Sequence, residues 1–142
     1  MSPLSSLVAA MPCAHAGPAS DAVARFYADA GTELTPEMRR FFTEPALGVL
    51  GAHDAALRAG GRGCIGFGLA VEAKGYDRGE LSRSLELRES VQGGEAIVMA
   101  YYRLAGQKHA VEWTLRRQGR VWLVADVMSL QGGWRLSDIA CG

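Results

Sequence analysis

The stretch KHAVEWTLRRQGRVWLVADVM, Lys108 to Met128, reads as two strands and the turn that joins them. Val111, Trp113 and Leu115 alternate with Glu112, Thr114 and Arg116, the period of two that marks a half-buried strand. Gln118-Gly119 supplies a tight hairpin turn, because glycine adopts the left-handed backbone such turns require. Arg120 to Met128 then runs apolar on both sides, with Asp126 sharing parity with Trp122 and Val124. Upstream, Glu95 to Leu104 is also apolar on both faces, bounded by Gln92-Gly93-Gly94 and Ala105-Gly106-Gln107. Leu81 to Val91 alternates and is expected to be the first strand. Turns this short force antiparallel pairing, since a parallel return needs a crossover of roughly a dozen residues. The second half of the chain is thus expected to be a meander of four strands.

The first half carries helical signals. Ser20-Asp21 caps a helix expected to run through Ala30, with Val23, Phe26 and Tyr27 on one face and Gly31 as its stop. Thr35-Pro36-Glu37 starts a short helix, and Thr43-Glu44-Pro45 a longer one from Pro45 to Ala59, ended by Gly60-Gly61. Residues 60–80 have no firm period and are expected to form a long loop, with a short strand near Phe67 to Val71. Helices followed by hairpin-linked strands make an α+β fold, with N-terminal helices packed on a curved antiparallel meander.

Composition narrows the function classes. The chain has 142 residues, 49% hydrophobic and 21% charged, which suits one domain with one core. Fifteen Lys+Arg balance fifteen Asp+Glu. A neutral chain lacks the basic field that non-specific phosphate binding needs, so no nucleic-acid partner is expected. No apolar run approaches the ~18 residues of a membrane span. Leu4 to Met11 is short and apolar, and Ala14-His15-Ala16 fits a signal-peptidase site, although no basic residue precedes it. Residues 1–16 are therefore expected to be a cleaved export signal and 17–142 a single domain, periplasmic or secreted, with a cytoplasmic location as the alternative. Removing that segment takes away Cys13 and leaves Cys64 and Cys141 as a candidate disulfide. The bridge would close most of the chain into one loop, worth about 4 kcal/mol on a chain-entropy estimate.

The layout resembles the nuclear transport factor 2-like superfamily, which includes ketosteroid isomerase and polyketide cyclases. The residues that carry the resemblance are Gly119-Arg120-Val121-Trp122-Leu123-Val124-Ala125-Asp126-Val127, similar to a Trp-bearing last strand, and an early helix bearing Phe26-Tyr27. The resemblance implies a cone-like, cystatin-like shape with a pocket between sheet and helices. It implies no reaction, since one fold hosts many functions.

Candidate site residues are few. Tyr27, Tyr101, Trp113 and Trp122 are candidates to line a pocket, with core packing as the plain alternative. Asp126, placed by parity among apolar residues, is either a proton-transfer group or a structural carboxylate. Gly61-Arg62-Gly63-Cys64-Ile65-Gly66 spells a dinucleotide fingerprint, but a helix precedes it and no helical period follows, so it reads as a connection. His53 and His109 read as surface residues. The histidines lack the spacing of a metal site, and no cofactor is expected. Glu86, Glu89 and Glu112 are expected to pair across strands with arginines. Because two strands are apolar on both faces, a second copy is expected to cover the outer sheet as a homodimer. Three functions remain open: a domain binding a small apolar ligand or a protein, a small isomerase or dehydratase using Asp126, and a protein inhibitor or immunity partner.

Overall fold

Gly93-Gly94, Ala105-Gly106 and Gly119-Arg120 form two-residue turns that set the sheet. Gly93, Ala105, Gly106 and Gly119 all have positive φ, the backbone that matches hairpin twist. The strands they join are β1 (Glu86–Gln92), β2 (Glu95–Leu104), β3 (Gln107–Gln118) and β4 (Val121–Ser129), followed by a short β5 (Trp134–Arg135). All pair antiparallel, in the order β1-β2-β3-β4-β5. The computed structural model describes residues 17–141. The expected export signal over residues 1–16 lies outside them.

Ahead of the sheet come α1 (Pro18–Ala28), a 3-10 turn (Pro36–Phe41), α2 (Ala46–Arg58) and α3 (Arg78–Ser84). The chain is thus an α+β domain with its helices N-terminal to a meander sheet. A second 3-10 turn, Leu136–Asp138, follows β5. Among the described residues no helix is long and apolar enough to cross a membrane.

Phe26 and Trp113 stack at 5.1 Å between ring centres, and Phe42 adds a third ring 5.4 Å from Phe26. Leu50, Leu87, Val98, Leu115, Val127 and Leu136 are fully buried around them. This cluster fills the space between α1 and the sheet, where the resemblance implied a pocket.

The first helix starts at Pro18, ahead of the expected Ser20-Asp21 cap, and ends at Ala28. Three expectations about the sheet and the chain leading into it also need correction. Leu81 to Val91 is not one strand, because α3 occupies residues 78–84 and β1 starts at Glu86. Asp77 explains the change: its Oδ1 accepts the N–H groups of Gly79 (2.8 Å) and Glu80 (3.3 Å), a helix cap. Residues 67–71 form no strand. The Ala70 N–H donates to the Glu33 carboxylate, and the Tyr102 hydroxyl donates to the Ala70 carbonyl. Side chains thus meet the needs of a buried backbone that a sheet would otherwise satisfy.

The third correction concerns β4. Leu115 pairs with Val124 but Thr114 pairs with Asp126, so Ala125 is an extra residue, a β-bulge. One inserted residue reverses parity. Val124 and Val127 therefore both face the core, while Asp126 lies beside Thr114 on the opposite face and no longer shares a side with Trp122.

Candidate functional site

The structure scatters the five pocket candidates. Tyr27 and Trp113 lie in the core, where the Trp113 Nε1–H donates to the Tyr27 hydroxyl at 3.1 Å. Burial pushes the Tyr27 phenol well above its ordinary range, and neighbouring Tyr102 adds to the shift. Trp122 sits at the other end of β4, under the Arg117 guanidinium at 5.7 Å. Asp126 is held by the C-terminal tail. Its Oδ1 accepts the N–H groups of Val127 and Ser137 at 3.0 Å each, and its Oδ2 accepts the Ser137 hydroxyl at 2.6 Å. Arg135 approaches to 3.7 Å. This carboxylate clamps the tail onto β4 and shares no space with Tyr27.

Tyr101 lies elsewhere again, in an open groove of about 440 Å³ at one end of the sheet. Glu86, Arg88, Arg103, Lys108 and His109 line it with Tyr101. β1 begins at Glu86, opposite Tyr101, so β2 continues past the end of its neighbour. There the Ser84 hydroxyl accepts the Arg103 N–H at 2.9 Å, which fixes the free stretch of β2. His109 pairs with buried Tyr102, and their rings stack at 5.2 Å on the inner face of the sheet, the side away from Tyr101. Glu86 accepts from Arg88 Nε at 2.7 Å. Arg103 and Lys108 stand directly opposite each other across β2 and β3. Like charges in that relation repel, and neither has a salt-bridge partner among the described residues. On the same outer face of β2, Tyr101 is 39% exposed and Ile97 40%. This apolar row is what the two-sided pattern of β2 announced.

His53 is buried, not on the surface as expected. Its Nδ1 accepts the Ile65 N–H at 3.2 Å, and a Cβ at Gly63 would overlap its ring. This contact anchors the loop that carries Cys64, which forms a disulfide with Cys141, their Cα atoms 5.1 Å apart. The G-x-G-x-x-G run is therefore part of a loop packed on α2, and the next helix begins only at Arg78. Among the described residues no group of His, Cys, Asp and Glu is placed to hold a metal.

Sequence reasoning missed two acids. Glu89 does not pair with an arginine. Its side chain turns inward, and Oε1 accepts both the N–H and the hydroxyl of Ser20 at 2.7 Å. It therefore caps α1 from the sheet, where the helix dipole favours an anion. Glu33 is 1% exposed and joins two loops by accepting the N–H groups of Gly31 and Ala70. Neither partner set is local in sequence, apart from Gly31, so no motif announces either one.

No family model and no curated protein matches this sequence. Among solved structures, a chain of the type VI native effector–immunity complex Tae3-Tai3 from Ralstonia pickettii is similar, with a TM-score of 0.55. Identity is 16%, and the match covers 80% of this chain and 95% of that one. At that identity what the two chains have in common is the fold.

Proposed function

We propose that this chain is a protein-binding domain of the inhibitor or immunity kind. The observation that carries the reading is the groove at the end of β1–β3, which is open, charged and edged by the exposed Tyr101. A small apolar ligand would need an enclosed apolar site, and the space under α1 is filled by Phe26, Tyr27 and Trp113. Proton transfer through Asp126 loses its support for a similar reason: both carboxylate oxygens are engaged by the tail, away from any tyrosine hydroxyl named as its partner. Similarity of fold to a chain of an effector–immunity complex supports the same choice. The Cys64–Cys141 bridge favours an oxidising compartment, periplasmic or extracellular. A distant place in the nuclear transport factor 2-like superfamily remains our proposal for the layout.

An inhibitor that protects its own producer must be present whenever the toxin is made. The test is therefore co-expression with the product of the adjoining reading frame. The reading expects a stoichiometric complex on size exclusion and restored growth where that product alone is toxic. Separate elution with no protection rejects it, and elution as a dimer of this chain alone would assign the exposed face to self-association.

A further inference from the structure

We propose that the groove receives an acidic segment of the protein partner, with one carboxylate held between Arg103 and Lys108. The inference rests on the protein-binding reading above and names the chemistry of its partner.

Four features lead to it. First, Arg103 and Lys108 are cross-strand neighbours of like charge, an arrangement that favours a bridging anion. Second, the other cation of the groove, Arg88, is already neutralised by Glu86. Two positive charges are thus left over in the lining, on a chain whose formal net charge is zero. Third, the strand end is held where the groove lies: the Ser84 hydroxyl accepts the Arg103 backbone N–H. A backbone already fixed there spends less ordering entropy on binding. Fourth, Tyr101 stands exposed at the groove, and Ile97 lies four residues away on the same face, beyond Met99. An aromatic anchor beside an arginine is the composition of a binding hot spot. A free anion would use only the two cations, whereas a peptide carboxylate uses the cations and the apolar row together.

The test uses acetylated hexaglutamate as probe, followed by amide and side-chain NMR shifts at low salt. Shifts should concentrate on Tyr101, Arg103 and Lys108. They should fall at least tenfold in apparent affinity in Arg103→Gln/Lys108→Gln and further in Arg103→Glu/Lys108→Glu, with thermal unfolding of the Gln variant unchanged or raised because the like-charge pair is removed. Hexaglutamine should leave these signals in place. Shifts spread over all exposed arginines and lysines, or none at millimolar probe, would overturn the proposal. Inorganic phosphate binding at least as well as the peptide would also overturn it, by assigning the site to a small anion. The two readings fail separately. A co-expressed complex indifferent to the double variant rejects the groove and keeps the protein-binding role, and a localised hexaglutamate site without any complex does the reverse.

Discussion

Glu89→Ala should cost far more than a surface change on the sheet, although the residue looks like an ordinary strand glutamate. Its Oε1 accepts two hydrogen bonds from Ser20. A hydrogen bond to a charged acceptor contributes about 1.5–3 kcal/mol, and the low end applies to a partly exposed group. The helix N-terminus adds about 0.5 kcal/mol. Because the two bonds share one acceptor oxygen they are not additive, and the expected loss is about 2–3 kcal/mol. For a domain of this size each kcal/mol moves Tm by about 4 °C, so Glu89→Ala should lower it by about 10 °C. Urea unfolding followed by tryptophan fluorescence, with the disulfide intact, measures the loss directly. Glu89→Gln keeps an acceptor and should lose only about 1 kcal/mol. Ser20→Ala should lose a similar amount, and the double variant should cost less than the sum of the two singles. Gly17→Ala probes the contact from the other side, since Gly17 has a φ of 128° and a Cβ there would overlap the Glu89 carboxylate. A Glu89→Ala loss below about 0.5 kcal/mol, the range of a plain surface change, would refute the trans-cap.

The same reasoning gives further expectations. Tyr27→Phe leaves the buried Trp113 Nε1–H without its acceptor and should cost about 1–3 kcal/mol in urea unfolding. Burial raises the phenols of both Tyr27 and Tyr102 in the folded protein. The unfolded chain then releases those protons first, near pH 10, so stability holds below that value and falls above it, by up to ~1.4 kcal/mol per pH unit per tyrosine. Phenolate absorbance should report the two side chains ionising only together with unfolding. Cys64→Ser/Cys141→Ser opens a loop spanning 77 positions, which the chain-entropy relation values at about 4 kcal/mol, readable as a lower urea midpoint. Ala105→Gly should stabilise by about 0.5–1 kcal/mol, because Ala105 has a φ of 52° in its turn and glycine relieves that strain.

Local signals made the meander legible. Each hairpin carries a glycine in its two-residue turn, and β3 alternates without interruption, so the antiparallel order followed from spacing alone. α3 was also legible in principle. Asp77 and Glu80 have the spacing of a helix start, but they sit at the end of a glycine-rich stretch and the helix has only seven residues. The bulge at Ala125 was not legible, since parity arguments assume an unbroken strand and an inserted residue leaves no mark in composition. That single residue moved Asp126 across the sheet and removed the acid from the imagined pocket. Glu89, Glu33 and His53 escaped for a different reason. Their bonds join residues that only the folded chain brings together, 69 positions apart for Glu89 and Ser20. The groove was half legible: the second apolar row of β2 predicted an exposed face, while the facing of Arg103 and Lys108 needed the register.

Calorimetric titration of the purified chain against the product of the adjoining reading frame, at two salt concentrations, bears most directly on the binding role proposed for the outer end of the sheet. Tight binding is expected for the native sequence, weakened at least tenfold by Arg103→Glu/Lys108→Glu and weakened further as salt rises. Equal affinity for both proteins, unmoved by salt, would contradict it.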